Sequence, residues 1–168
     1  MPRSFDMSAD YPASVERVHQ ALRDRHYWQA RLDDSGADEA TLDALVADAD
    51  GGVDVRTTQV LRADRLPGVV AQFHRGDLAI VREERWSPVV DGTATAAVAG
   101  SIPGAPVALT GDAVLEPTAG GCRLRFTARV EVRIPLVGGK IESFIGNNLV
   151  ELLIAEQRFT TAWIAAGR

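Results

Sequence analysis

Residues 122–134, Cys122-Arg123-Leu124-Arg125-Phe126-Thr127-Ala128-Arg129-Val130-Glu131-Val132-Arg133-Ile134, alternate apolar and polar side chains without a break. Successive side chains of a strand point to opposite faces, so this run belongs to a sheet buried on one side and wet on the other. The segment beyond has the opposite character. After Pro135 and Gly138-Gly139, residues 137–166 contain no proline and repeat their apolar residues at helical spacing. At about 1.5 Å per residue such a helix is roughly 40 Å long. A helix of that length needs a broad surface to lie on, and the buried sheet face supplies one.

The rest of the chain fills in a sheet around that pair. Residues 3–10 alternate Phe5 and Met7 against Ser4, Asp6 and Ser8, a short strand. Ser14 can cap a helix carrying Val15, Val18, Ala21 and Leu22, and a second short helix holds Tyr27, Trp28 and Leu32 before Ser35-Gly36. Residues 41–49 and 53–62 flank Asp50-Gly51-Gly52, a hairpin signal because glycine tolerates positive φ. The run from Thr41 to Ala47 also suits a helix, but a strand is preferred because the glycine turn needs a partner for Val53-Asp54-Val55-Arg56-Thr57. Leu66-Pro67-Gly68 breaks the pattern, and residues 69–75 form a short helical connection. From residue 78 the chain reads as a meander: a strand from Leu78 to Trp86, then residues 93–102, 106–116 and 122–134, with turns at 87–92, at Pro103-Gly104 and at Ala119-Gly120-Gly121. The expectation is one α+β domain over residues 1–168, with seven strands, two short helices after the first strand and a long terminal helix.

Placed at 100° steps, Ile141, Ile145, Asn148, Leu152, Ala155, Phe159 and Trp163 form one stripe of the terminal helix, with Phe144, Leu149 and Glu156 at its edges. Asn148 and Glu156 are polar intruders, and an unpartnered buried amide or carboxylate costs several kcal/mol. Two readings are open. They orient a polar group in a cavity, or Asn148 bonds local backbone while Glu156 reaches solvent or an arginine at the margin. In the strand from Leu78 to Trp86, an inward face holding Leu78, Ile80 and Trp86 also holds Arg82 and Glu84, which can form a buried or cavity-lining pair. Carboxylates in such settings have shifted pKa values useful for acid–base work, although such a pair is more often structural.

Several function classes are disfavoured. The chain has 168 residues and a formal net charge of −5, so nothing drives general association with nucleic acid or an anionic membrane. The arginines of residues 122–134 make a basic row, but without interleaved aromatics they read as a solvated face. Cys122 is the only cysteine, which rules out an internal disulfide and a cysteine-ligated metal site. His19, His26 and His74 show no metal spacing, and His74 alone falls at a sheet margin where it can line a cavity mouth. No nucleophile elbow, phosphate loop or dinucleotide fingerprint is present, so neither cofactor nor metal is expected. The N-terminus lacks an apolar signal core, and no run reaches the roughly 18 residues of a membrane span. A cytoplasmic protein without stable membrane insertion is expected, monomeric or a weak homodimer.

The order strand, two short helices, six strands, long helix resembles the helix-grip superfamily, which includes START lipid-transfer domains, polyketide cyclases and birch-pollen-allergen-like proteins, together SRPBCC proteins. Arg133-Ile134-Pro135-Leu136-Val137-Gly138-Gly139-Lys140-Ile141-Glu142, Glu84-Arg85-Trp86 and Glu156-Gln157-Arg158-Phe159-Thr160 are similar to an actinobacterial family of unknown function within it. The resemblance implies a curved sheet wrapped around the helix and a deep apolar cavity between them, binding a lipid, a polyketide or a similar molecule. The candidate liners are Trp86, Phe126, Val130, Val132, Ile145, Asn148, Leu152 and Phe159. A binder or carrier is favoured over an enzyme. The alternatives are a cyclase or hydratase using Arg82, Glu84, Glu156 or His74, and a regulatory module that docks a protein through the outer face near Arg125 and Arg129.

Overall fold

A computed structural model describes residues 2–71 and 74–167. The chain runs β1 (Arg3–Tyr11), α1 (Val15–Leu22), α2 (Arg25–Asp33), β2 (Glu39–Ala47), β3 (Val53–Leu61), a 3₁₀ turn at Ala63–Arg65, α3 (Gly68–Ala71), β4 (Leu78–Trp86), β5 (Ala94–Ser101), β6 (Val107–Thr118), β7 (Gly121–Val132) and α4 (Gly138–Ala165). Of the helical connection expected at 69–75, Gly68–Ala71 is α3, and residues 72 and 73 lie outside the described residues.

The strands form one antiparallel seven-stranded sheet in the order β1-β7-β6-β5-β4-β3-β2. Only the β1–β7 neighbourhood is non-sequential. It arises because the chain leaves β1 through α1 and α2 and builds the meander from the far edge back. The ambiguous 41–47 run is a strand: Asp48 N–H donates to Gly52 O at 2.8 Å, and Gly51 takes φ 107°, which only glycine adopts without strain. A bulge between Leu42 and Ala44 shifts the register there.

The alternation of residues 122–134 identifies the buried face as expected. Cys122, Ala128, Val130 and Val132 are buried, while Arg123, Arg125 and Arg129 are exposed. Burial pushes the Cys122 thiol up to about 11, so it behaves as a small core residue. On the outer face Arg123 pairs with Asp10 and Arg125 with Glu116, each at 2.7 Å.

α4 rests mainly on β1 and β7, with α1 and α2 packed against its second half. Two apolar clusters result. The larger joins α1, α2 and Trp163 to Tyr11, Val53, Val55, Trp86, Leu115 and Cys122. The smaller joins Val130, Val132 and Ile141, with Phe5, Leu109, Ile145 and Leu149 against them. Gly146 permits the close approach of α4 to β1, since a Cβ there would overlap the Phe5 ring.

The inward face of α4 is rotated by roughly a quarter turn from the apolar stripe read in the sequence. Glu142, Gly146, Thr160 and Trp163 are buried, whereas Asn148, Leu152 and Ala155 are exposed. The reason is that each polar side chain on the true inward face finds a partner on another element, although Glu142 Oε1 has only Arg3, at 3.9 Å. Glu142 accepts from Val132 N–H at 2.9 Å, Thr160 shares a hydrogen bond with the Tyr27 hydroxyl, and Gln157 donates to Asp10 O at 2.7 Å. Polar groups with a partner tolerate burial, and hydropathy alone does not register this.

Candidate functional site

α2, β4 and α4 bring four charged side chains to one place. Glu156 projects from α4 between Arg82 of β4 and Arg31 of α2. Arg82 donates to both Glu156 oxygens, at 2.7 and 3.2 Å, and Arg31 Nη2 lies 2.5 Å from Oε2. Two residues along β4 on the same face, Glu84 meets Arg82 at 2.8 Å and accepts from Trp86 Nε1 at 2.9 Å. Arg31 also lies over the Trp28 ring, 4.5 Å from its centroid, and donates to the Tyr27 hydroxyl at 3.3 Å. The cluster is formally neutral, with two guanidiniums and two carboxylates.

Its electrostatics are set by competition between burial and pairing. Burial raises the Glu156 carboxyl, but the flanking Arg31 and Arg82 guanidiniums more than reverse this and bring it down to about 2. Burial likewise opposes charge on Arg31 and Arg82, and Glu156 keeps both firmly protonated. A carboxylate this acidic is a feeble proton acceptor at neutral pH. The arrangement can therefore orient a polar group by donated hydrogen bonds more readily than it can move a proton.

Beside the cluster is a cavity of about 40 Å³ walled by Tyr11, Leu115, Leu124 and Leu153. That is room for a few waters, far below the several hundred Å³ of a drug-sized site. Farther along the inner face the covering is thinner. Leu61, Ile80, Leu109 and Phe126 all point inward and are only half-buried, and Leu61 and Ile80 stand outside both core clusters. From the Arg82–Glu156 contact, β4 toward Ile80 and α4 toward Leu152 run to the same end of the sheet. A larger concavity, about 620 Å³, lies on the outer face, where Ala97, Ala99 and Thr110 make a low floor between Arg56, Glu83, Arg85 and Arg129.

The residues singled out in the sequence are thus divided. Arg82, Glu84 and Glu156 meet in one cluster. His74 does not join them: it is on the β3–β4 connection, its Nε2 3.1 Å from Asp77 O. Trp86 and Phe159 belong to the larger cluster, Phe159 stacking on Trp163. Val130, Val132 and Ile145 belong to the smaller. Phe126 lies across Gly111, whose missing Cβ makes room for its ring. Asn148 is a correction: it is exposed and donates to Phe144 O at 2.8 Å, one helical turn back. Leu152 is 37% exposed, on the side of α4 from which Phe159 meets Tyr27. Arg31 escaped notice, although its spacing of four from Tyr27 and three from Trp28 places it on the buried side of α2.

Residues 6–164 match the family described as "Protein of unknown function (DUF2505)". The chain belongs to that family. It is 52% identical over 170 residues to the uncharacterized protein Rv0481c of Mycobacterium tuberculosis, covering 98% of each chain. Among solved structures it is similar to TTHA0849 from Thermus thermophilus, with TM-score 0.60 and 18% identity over 96% of this chain and 98% of that one. It is also similar to norcoclaurine synthase from Thalictrum flavum in complex with dopamine and hydroxybenzaldehyde, with TM-score 0.55 and 14% identity over 100% and 89%. The di-domain ARO/CYC StfQ of the steffimycin biosynthetic pathway matches with TM-score 0.62 and 13% identity over 100% of this chain and 53% of that one. At these identities the likeness is one of fold: this DUF2505 protein has the helix-grip architecture.

Proposed function

We propose that the protein binds an apolar small molecule, a lipid, polyketide or similar, between α4 and the inner face of β3 to β7. The observation that carries this reading is the half-buried strip Leu61, Ile80, Leu109 and Phe126. Apolar side chains left incompletely covered on a concave face are the usual lining of such sites. The Arg31–Glu156–Arg82–Glu84 cluster closes one end of the strip and offers the few polar contacts that orient a ligand. The fold shared with a cyclase and with a synthase holding aromatic ligands supports the same reading. A cyclase-like reaction is the weaker alternative, because a carboxyl held at about 2 makes a poor general base.

Native mass spectrometry of protein purified from its own host is the test. Retention of a small apolar species, or uptake from a panel of lipids and polyketides, supports binding. An empty protein that takes up nothing from the panel overturns it.

A further inference from the structure

At one end of the sheet, β5 turns into β6 and β7 hands over to α4, and two uncharged loops meet. They are Ile102-Pro103-Gly104-Ala105-Pro106 and Ile134-Pro135-Leu136-Val137, tied by a hydrogen bond from Arg133 N–H to Pro106 O at 2.9 Å. Pro103, Pro106 and Pro135 are exposed, and Leu136 at the tip is 102% exposed. Leu136 also has φ 71°, a left-handed conformation that a leucine adopts only against steric resistance.

That conformation is held from both sides. Val132 N–H donates to buried Glu142, Gly138 N–H donates to Ile134 O at 2.9 Å, and Lys140 N–H donates to Val137 O at 3.0 Å. Strain of this kind persists where the surroundings over-determine it, commonly at functional positions. A large apolar side chain fixed in a strained backbone and pointed wholly into solvent does nothing for the fold.

We propose that this end of the molecule docks on the surface of a lipid bilayer, with Leu136 entering the boundary between headgroups and acyl chains. The shape favours a bilayer over a protein. The tip is convex, so a protein partner would need a matching pocket, whereas the lipid boundary yields around it. The charges agree. Arg3, Arg133 and Lys140 stand behind the tip, against Glu131, which is paired with Arg133 at 2.7 Å, and buried Glu142. At the tip itself negative charge is not in excess, and farther along the same end Asp38 is paired with Arg65, so in a chain of net charge −5 anionic headgroups meet no concentrated repulsion at the tip. The inner-face strip begins at the same end, where Leu61 pairs with Leu78. Passage of an apolar ligand from bilayer to cleft follows if the binding reading holds; the docking itself does not depend on it.

The full chain is tested by co-sedimentation with phosphatidylcholine vesicles and with vesicles containing added phosphatidylglycerol. The wild type binds, more strongly to the anionic vesicles. Leu136→Asp weakens binding by roughly tenfold or more. Leu136→Gly, which removes the side chain and relieves the backbone, also weakens it. Val90→Asp, at an exposed valine in the β4–β5 turn at the opposite end, leaves it unchanged. Absence of wild-type binding to both vesicles, wild-type binding by either Leu136 variant, or an equal loss in Val90→Asp overturns the proposal. Uptake of a soluble apolar dye separates the two readings. Leu136→Asp retains whatever uptake the wild type has, and a wild type that docks but takes no dye refutes ligand binding while leaving docking intact.

Discussion

Glu156 shows how far one side chain's role depends on its neighbours. With a folded pKa near 2 against an ordinary value near 4.5, its contribution to stability is fully present above about pH 4.5. It is lost as pH falls through about 2. Glu156→Gln leaves Arg31 and Arg82 short of their shared carboxylate and is expected to destabilise by on the order of 3 kcal/mol at neutral pH. Denaturant titrations at pH 7 and pH 3 check this, because the gap between wild type and variant narrows in acid. Asn148 is the contrast. Its amide is exposed and bonded one turn back, so Asn148→Ala should change stability by less than about 0.5 kcal/mol and leave ligand uptake intact. Both residues are polar intruders near the same apolar stripe in sequence. What distinguishes them is Arg31 and Arg82, 125 and 74 positions away from Glu156. No local pattern contains that information.

At the scale of elements, α4 is the instructive case. Its existence, length and lack of proline were legible, and so was its need for a sheet. Its rotation was not, because Glu142, Glu156 and Thr160 face inward with partners supplied by β7, by Arg31 and Arg82, and by Tyr27. Gly146 makes the packing testable. Alanine normally favours a helix over glycine by about 1 kcal/mol, but here its methyl would strike the Phe5 ring. Gly146→Ala is therefore expected to destabilise by about 1–3 kcal/mol, measured by thermal or denaturant unfolding, and Phe5→Leu in the same chain should recover part of the loss. A gain in stability from Gly146→Ala alone would mean that α4 does not approach β1 this closely.

For the whole molecule, the open part of the inner face is where function and fold meet. Ile80→Trp places a large ring on the half-buried strip at a position outside both core clusters. It is expected to abolish uptake of apolar ligands while shifting the melting temperature little, which parallel binding and melting measurements check. Among the described residues no helix is long and apolar enough to cross a membrane. The sequence by itself determined the strands, the buried sheet face, the two short helices and the terminal helix, because periodicity and turn chemistry are local properties of the chain. The tertiary structure alone decided which face of α4 is inward, which arginines neutralise Glu156, and that α4 rests on β1 and β7. Those depend on the approach of segments far apart in sequence, where a partner decides whether a polar group is buried.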